Sequence, residues 1–313
     1  MVMKCGICGK EAVIYRKYEG KVLCRKHFLK SIRFKVSKTI RKYRMIKRHD
    51  KVVVGISGGK DSSLLLRLLW EKQKKQKHFQ LEALLIDEGI KGYRDKTKKY
   101  AKQLCEELGV PYFEYSFKKT FGKTLDEMVR IEKKKYGYEV HACTYCGTLR
   151  RYLLNLGARE LRADKLAIAH NLDDEAQAIL ANYIRGDLLR AVRMGYVPYF
   201  VEDEKFVVRI KPLRDIPEKE TTLAAILLNL PFSLAECPYV VDAFRGDVRD
   251  MINMLEDKYP GIKYNIVRTF DKIQPALKTM IKPAGIKYCE KCGEPTSQRI
   301  CKACILPERV REE

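Results

Sequence analysis

Long hydrophobic runs are absent from this chain of 313 residues. A helix that crosses a bilayer needs about 20 mainly apolar residues, and no stretch approaches that length. The first ten residues, MVMKCGICGK, also have no apolar region of the kind that secretory signals carry. We therefore expect a protein that is neither exported nor inserted in a membrane.

Acidic residues are scarce relative to basic ones. Asp and Glu total 40 against 63 Lys and Arg, which gives a formal net charge of +23. The segment 30–48 contains no acid, whereas a solvated helix face usually mixes both signs. Such concentrated positive charge indicates a polyanionic partner, and we expect nucleic acid. The alternative is a soluble basic surface of the kind found in thermophile proteins rich in Lys and Glu.

Cysteines are numerous, but their spacing argues against disulfides. Nine of the eleven fall in pairs or clusters with metal-ligand spacing. Disulfide-rich chains are typically short and secreted, which this chain is not expected to be. We therefore expect metal sites and a reducing, cytoplasmic location.

Long repeats and low-complexity segments are also absent, and four regions are predicted. They are an N-terminal Cys/His module (1–30), a basic helix (31–50), a catalytic domain (51–280) and a second Cys-rich module with a charged tail (281–313). In the central region short β-rich runs alternate with helical patterns, which predicts an α/β fold with a mainly parallel sheet and helices on both faces. Ligands bind such sheets beyond the carboxyl ends of the strands. The predicted strands are 51–56, 81–86, 112–117, 165–170 and 206–210, and the predicted helices are 62–75, 94–108, 148–162 and 173–185.

The stretch SGGKDS at 57–62 follows the first of these strands. A Walker A loop needs GxxxxGK before a Ser or Thr that holds magnesium, but here the spacing is one residue short and Asp61 takes the hydroxyl position. The stretch still suits phosphate, because glycines let the backbone approach an anion and a following helix directs its positive end at it. Asp61 is placed to hold magnesium or to cap that helix. The predicted nucleotide residues are Gly55, Ser57, Gly58, Gly59, Lys60, Asp61 and Ser62, against the alternative of an ordinary glycine-rich turn.

A second motif, AHNLDD at 169–174, follows a later strand and opens a predicted helix. Asp173 or Asp174 is well placed as the N-cap of that helix. Both acids are therefore explained if they only start a helix, and a functional role needs further support.

Two cysteine sets have the pair-loop-pair spacing of closed tetrahedral zinc sites. An ion with four protein ligands has no open position for water, so we expect structural ions. A redox-active CxxC pair is the alternative. The predicted ligands are Cys5, Cys8, Cys24 and His27 at one end, and Cys289, Cys292, Cys301 and Cys304 at the other.

A third set is incomplete. Cys143 and Cys146 form a CxxC pair without a nearby second pair. Cys105 lies in a predicted amphipathic helix and is most simply a buried apolar residue, whereas Cys237 lies in a loop marked by Pro238 and is the better third ligand. Three thiolates suit a four-iron cluster whose fourth iron is left open. A redox-active or catalytic cysteine pair without a cluster remains the alternative.

These motifs together resemble a known family. SGGKDS resembles the pyrophosphate loop of the N-type ATP pyrophosphatases, which release AMP and pyrophosphate. With AHNLDD, CTYCG at 143–147, ECPY at 236–239 and the two terminal modules, the chain resembles the tRNA 2-thiouridine synthetases of the TtuA/TtcA group. The resemblance implies a Rossmann-like fold of the adenine nucleotide alpha hydrolase type. It also implies roles for His170 and Asp174 in the nucleotide and magnesium site, for Asp87 near adenine and ribose, and for Cys143, Cys146 and Cys237 as ligands of a 4Fe-4S cluster.

The implied reaction is an ATP-dependent replacement of oxygen by sulfur. The 2-oxygen of a tRNA uridine is adenylated because AMP departs more readily than oxygen, while Lys60 and magnesium neutralise the pyrophosphate. Sulfur delivered at the cluster then displaces AMP, which assigns catalysis to Lys60, Cys143, Cys146 and Asp174. The resemblance favours a thymine-loop uridine, a ubiquitin-like thiocarboxylate carrier as sulfur donor, and a homodimer. Arg150 and Arg151 are candidates for holding phosphates or the carrier's terminus, or are solvated helix residues.

Other functions share parts of this pattern. A wobble-uridine thiolase and a cluster-free cysteine-pair thiolase fit most motifs. A lysidine synthetase has no use for the third cysteine set, and a non-catalytic zinc-dependent RNA-binding module leaves SGGKDS and AHNLDD unexplained. For RNA contacts we expect the helix 31–48, the terminal modules and the region around Tyr264, Arg268 and Lys272, with affinity that falls steeply with salt.

Overall fold

A computed structural model describes residues 2–195, 203–239, 244–281 and 285–311. Its N-terminal part is an antiparallel hairpin of β1 (Ile14–Arg16) and β2 (Lys21–Leu23), followed by helix α1 (Arg25–Lys42). This helix begins and ends earlier than the predicted basic segment 31–50. Its apolar residues Phe28, Ile32 and Val36 are buried, so α1 packs on the core and is not a freestanding arm.

The predicted α/β class is confirmed by a central sheet of five parallel strands in the order β5-β4-β3-β6-β7. All five predicted strands are present, and four of them are one to three residues shorter at an end. The strands are β3 (Lys51–Gly55), β4 (Gln80–Asp87), β5 (Tyr112–Ser116), β6 (Lys165–Ala167) and β7 (Val208–Ile210).

Helices cover both faces of this sheet. Because side chains alternate along a strand, Val52 and Val54 join the core on one face and Val53 joins the core on the other. No helix within the described ranges is long and apolar enough to cross a membrane. The helices of this region are α2 (Lys60–Gln76), α3 (Arg94–Leu108), α4 (Phe117–Phe121), α5 (Leu125–Tyr136), α6 (Ala142–Glu160), α7 (Leu172–Ile184), α8 (Leu188–Val192), α9 (Glu218–Leu227), α10 (Phe244–Lys258) and α11 (Ile262–Met280).

The strand order reverses between β3 and β6. The chain runs from β3 outward to β4 and β5, and then returns to place β6 on the other side of β3. Crossovers that leave in opposite directions open a crevice beyond the carboxyl ends of these two strands, where ligands bind in open α/β sheets. SGGKDS follows β3 and AHNLDD follows β6, so both motifs meet at this crevice.

The C-terminal Cys-rich module consists of β8 (Lys287–Tyr288), β9 (Pro295–Thr296) and α12 (Lys302–Arg309). Two carboxylates anchor it to the central domain. Glu132 of α5 accepts hydrogen bonds of 2.9 and 3.0 Å from Arg309, and Glu294 accepts a hydrogen bond of 3.0 Å from Arg159 of α6. The module therefore packs on the same face of the sheet as the helix that carries Cys143 and Cys146.

Arg214 stabilises the junction between the sheet and α11. Its side chain is fully buried and makes two 2.9 Å hydrogen bonds to the carboxylate of Asp271. Removal of one partner from a buried ion pair leaves a desolvated charge and typically costs about 3–5 kcal/mol. We expect Asp271→Ala to lower the melting temperature by about 10 °C. Asp257→Ala is the matched control, because Asp257 is exposed and pairs only with Lys219 at 3.6 Å among the described residues. Equal melting temperatures for both variants would contradict the buried-pair argument.

Candidate active site at the switch point of the sheet

The turn at 57–62 has the geometry of an anion-binding loop. Gly58 adopts φ +78°, and a Cβ at this position would lie 1.9 Å from the carbonyl oxygen of Thr97, so only glycine fits. The hydroxyls of Ser57 and Ser62 are 3.0 Å apart, and Ser62 Oγ also accepts the Ser57 amide at 3.1 Å. Gly59 is the N-cap of α2 and has no side chain to cap its amides. The start of the helix can therefore direct backbone N–H groups at a phosphate.

Lys60 and Asp61 form the charged part of this loop. Lys60 Nζ lies 2.8 Å from Asp61 and 2.7 Å from Glu218. Burial lowers the pKa of Lys60, but the two carboxylates outweigh it and raise the pKa above its usual value. Asp61 accepts hydrogen bonds from Thr221 at 2.5 Å and from Asn171 at 3.4 Å, so it does not cap α2. The Asn171 contact joins SGGKDS to AHNLDD.

The start of α7 corrects the predicted N-cap. Asn171, and neither aspartate, caps the helix: its side chain accepts the Asp174 amide at 3.0 Å, and the Asp174 carboxylate accepts the Asn171 amide at 3.1 Å. Asp174 also pairs with Arg245 at 2.8 Å. Asp173 is buried, pairs with Lys263 and accepts the Glu218 amide at 2.8 Å, which indicates a structural role.

Two further predicted nucleotide residues lie at the same edge of the sheet. His170 is exposed, between β6 and α7. Asp87 ends β4, where it accepts the Gly89 amide at 2.8 Å and lies 3.3 Å from Lys98. The structure thus places both at the crevice, while their contacts with a nucleotide stay a prediction.

The segment that carries Cys237 lies directly on the phosphate loop. The Ser233 amide donates to the Gly58 carbonyl at 2.9 Å, and Ser63 Oγ donates to the Pro231 carbonyl at 3.2 Å. Cys237 follows Ser233 by four residues in sequence. The phosphate loop and the third cysteine are therefore held together by backbone contacts that the sequence did not reveal.

The structure also brings the three predicted cluster ligands together. Cys143 and Cys146 lie in the first turns of α6, and the Cys143 thiol donates to the carbonyl of Tyr239, two residues after Cys237, at 3.4 Å. Burial raises the pKa of Cys146 to about 11 and also raises the pKa of Cys237, on which Cys143 exerts an electrostatic effect in the same direction. Both thiols must therefore release protons when they bind iron.

The three cysteines fit an iron–sulfur cluster better than a single ion. Each terminal set has all its ligand atoms within 4.8 Å of one another, and in the described parts of the chain this third set does not meet that limit. A cluster binds each thiolate on a different iron, so its ligands stand farther apart than those of one zinc ion. The donor type and the apolar surroundings of Cys146 and Cys237 suit such a group.

A buried carboxylate links the phosphate loop to the cysteines. Glu88 is completely buried and accepts hydrogen bonds from Arg94 at 2.6 Å and Arg150 at 2.5 Å. Arg94 in turn donates to the Ser57 carbonyl at 2.9 Å, and Arg150 donates to Cys146 Sγ at 3.1 Å. We call Arg94, Glu88 and Arg150 the arginine bridge. It connects both halves of the site through three side chains.

Sequence reasoning missed Glu88 and Arg94. The available signal was their position: Glu88 directly follows the Asp that ends an apolar strand, and Arg94 opens the next helix. The sequence leaves Arg150 as a candidate for holding phosphates or the carrier's terminus, or as a solvated helix residue. The structure places its guanidinium on Glu88 and Cys146.

Both terminal cysteine sets can hold a metal ion, because in each the four ligand atoms lie within 4.8 Å of one another. In the N-terminal set, His27 Nδ1 is 3.4 Å from both Cys5 Sγ and Cys24 Sγ. Burial raises the pKa of Cys5, but hydrogen bonds from backbone amides outweigh it and lower the pKa to about 6. The same balance lowers the pKa of Cys289 to about 6. These amides favour thiolates, the form that binds metal.

The two predicted basic regions share one surface. A cavity of about 410 Å³ is lined by Lys35, Lys38 and Lys42 of α1 and by Arg268 of α11. Tyr264 is partly buried beside Lys35, while Lys272 is exposed. RNA binding at this surface stays a prediction.

Comparison with known proteins agrees with this geometry. Residues 29–221 match the PP-loop domain family, and residues 4–29 match the N-terminal LIM domain of the 2-thiouridine synthetase TtuA. The tRNA 2-thiolation protein NcsA of Haloferax volcanii is 35% identical, over 98% of this chain and 99% of its own length. The tRNA-5-methyluridine(54) 2-sulfurtransferase of Pyrococcus horikoshii is 34% identical, over 96% and 93% of the two chains.

A solved structure is also similar along the whole chain. The U34-tRNA thiolase NcsA from Methanococcus maripaludis, solved with its 4Fe-4S cluster, is 37% identical, covers 99% of this chain and 97% of its own, and superposes with a TM-score of 0.85. Together with the phosphate loop and the paired cysteines, these similarities show that the chain belongs to the ATP-dependent PP-loop tRNA 2-thiolation enzymes of the NcsA/TtuA type.

Proposed function

We propose that this enzyme adenylates the 2-oxygen of a tRNA uridine at the phosphate loop and exchanges it for sulfur at Cys143, Cys146 and Cys237. The observation that carries the proposal is the contact between the two halves of the site. Ser233 binds the Gly58 carbonyl at 2.9 Å four residues before Cys237, and the arginine bridge joins Ser57 to Cys146. A base activated at the loop is therefore next to the sulfur site.

The roles of the loop residues follow from their charges. Backbone amides at the start of α2 and the hydroxyls of Ser57 and Ser62 would bind the phosphates of ATP. Lys60 is held cationic by Asp61 and Glu218, so it is suited to neutralise negative charge that develops on pyrophosphate. Asp61 and Asp174 are the carboxylates that we assign to magnesium, since this hard cation prefers oxygen ligands and keeps several waters.

We assign a 4Fe-4S cluster to the three cysteines. When bound, a cluster with three protein ligands supplies one iron that is open to an external sulfur ligand. Arg150 positions Cys146 through its 3.1 Å hydrogen bond and brings a positive charge to the thiolates. The half-buried position of Cys146 and Cys237 limits the access of water, whereas Cys143 is exposed and can be reached from solvent.

Structural zinc ions are assigned to the two terminal sets, because Cys₃His and Cys₄ donors within 4.8 Å leave no position for substrate. We further propose a ubiquitin-like carrier with a C-terminal thiocarboxylate as sulfur donor, a homodimeric assembly and a cytoplasmic location. In the described residues none of the eleven cysteines forms a disulfide, which suits a reducing compartment.

Two positions in tRNA are candidates for the target uridine. Similarity to the U34-tRNA thiolase from M. maripaludis supports the wobble position, and similarity to the P. horikoshii enzyme supports position 54, the thymine-loop position predicted from the sequence. Mass-spectrometric mapping of 2-thiouridine in tRNA treated with the enzyme decides between them.

ATP turnover tests the reaction type. With ATP, magnesium and unmodified tRNA, we expect AMP and pyrophosphate in amounts equal to the 2-thiouridine formed, because adenylation breaks the bond between the α and β phosphates. Without tRNA, AMP formation should drop to background. Release of ADP and phosphate, or turnover that does not depend on tRNA, would overturn the proposal.

A further inference from the structure

A second cationic cavity lies beside the cysteines and has no role in the reaction described above. It has a volume of about 550 Å³ and is lined by residues of α6, of α8 and the position after it, of β7, and of the C-terminal module. Five positive side chains from four separate segments line it. These five residues are Arg151, Arg190, Arg193, Arg209 and Lys302. We call these five residues the arginine cavity.

The positive charge of this cavity is largely uncompensated. Glu294 also lines it, but its carboxylate is bound by Arg159 at 3.0 Å. Arg190 pairs with Asp187 at 3.0 Å, whereas within the described ranges Arg151, Arg209 and Lys302 have no acidic partner. Burial and the neighbouring Arg151 lower the pKa of Arg209 to about 10, which reflects the cost of crowding these charges. An anion between them would relieve that cost.

The arginine cavity adjoins the sulfur site. Arg151 folds back along α6, so that a Cβ placed on Gly147 would lie 3.3 Å from its Nη1. Gly147 directly follows Cys146. Arg209 is fixed against the same helix through a 3.1 Å hydrogen bond to the Arg151 carbonyl. An anion held by these two guanidiniums is thus next to the place where sulfur is transferred.

We propose that the arginine cavity binds backbone phosphates of the RNA strand beside the target uridine. This inference rests on the proposed function and locates the site that binds the substrate RNA strand. Guanidinium groups bind phosphate oxygens through two parallel hydrogen bonds, and several guanidiniums from different segments match successive phosphates. The C-terminus of a sulfur-carrier protein has only one negative charge, and that same group must reach the cysteines. It therefore matches the positive charges of the arginine cavity less well. Tyr152 and Phe206 add aromatic surface to the lining, which suits an unstacked base.

The test uses the full chain and an unmodified tRNA transcript, with binding measured by fluorescence anisotropy at several salt concentrations. For Arg151→Met with Arg209→Met we expect affinity to fall about 10-fold. We also expect the slope of log K against log salt to decrease by about 1.4, since each of the two lost phosphate contacts on a single strand contributes about 0.7. Lys102→Met is the charge-matched control, because Lys102 is exposed on α3, lies outside the regions expected to contact RNA and pairs with Glu106 at 3.8 Å. This control should bind as the unchanged protein does.

Further measurements separate the possible outcomes. The double variant with lysine at both positions should recover the salt slope but only part of the affinity, because lysine keeps the charge and loses the paired hydrogen bonds. An unchanged affinity and slope in the methionine variant would overturn the inference. Normal tRNA binding with weakened binding of the sulfur-donor protein would overturn it in favour of a protein terminus. If the unchanged enzyme makes no 2-thiouridine with ATP and either inorganic sulfide or a thiocarboxylated carrier protein as sulfur source, the proposed function fails instead.

Discussion

Replacement of Cys143 by serine is expected to reduce tRNA thiolation by more than about 1,000-fold, since residues that act as one catalytic unit are each required. A serine hydroxyl does not ionise at neutral pH and is a poor ligand for iron, so the cysteine site would lose one of its three donors. Thiolation is measured anaerobically with sulfide as sulfur source, and iron is determined on the same samples. Thiolation activity and iron content should fall together.

The matched control is Cys105→Ala. Cys105 is buried in α3, where burial raises the pKa of its thiol to about 12, so it is protonated and inert at neutral pH. This variant should keep its iron and its thiolation activity. Full thiolation by the Cys143→Ser variant under anaerobic conditions would show that no cluster is needed, and the bare cysteine pair would then be the better explanation.

Neutralisation of Glu88 is expected to have the next largest effect. Glu88 holds Arg94 on the phosphate loop and Arg150 on Cys146, and Glu88→Gln leaves two guanidiniums competing for one uncharged amide. A displacement of about 1 Å between reacting groups costs on the order of 100-fold in rate, and we expect a loss of that size in thiolation. Because Glu88 contacts neither ATP nor RNA directly in our assignment, the loss should appear mainly as a lower kcat and less as a higher KM.

The chain offers a close control for this change. Glu71 on α2 also lies between two arginines, Arg33 at 2.6 Å and Arg67 at 3.0 Å, but it is about three helical turns from the phosphate loop. Glu71→Gln removes the same charge from a similar pair and should leave thiolation within about twofold. If both variants lose activity equally and melt at equally reduced temperatures, the arginine bridge only stabilises the fold. Recovery of activity by Glu88→Asp, but not by Glu88→Gln, would support a positioning role.

Local chemistry explains why much of the fold was predictable. Strands β3 and β4 are apolar runs flanked by turns, and the fully buried Val52, Val53 and Val54 could belong only to a sheet covered on both faces. The stretch SGGKDS requires glycine at position 58, where φ is +78° and no side chain fits. Such requirements act between neighbouring residues, so they are visible in the sequence.

The start of α6 shows where local preference misleads. The helix was predicted from 148, yet it begins at Ala142 and includes both cysteines. Cysteine, threonine, tyrosine and glycine are poor helix formers, so the local preference of the stretch 143–148 does not favour a helix. Ala142 and Tyr145 are completely buried, and this tertiary packing overrides the local preference. Pro275 likewise lies inside α11, a helix that is not among those predicted from the sequence.

By itself the sequence determined the class of fold, the phosphate loop and the three sets of cysteines, because each depends on residue types at short, fixed spacings. Only the tertiary structure decided that the segment carrying Cys237 binds the loop through Ser233 and that Asn171 caps α7. It also decided that Glu88, which binds Arg94, is reached by Arg150 from 62 residues along the chain. These contacts arise where strands from both sides of β3 end at one crevice, and the order of strands in a sheet is set by packing of the whole chain.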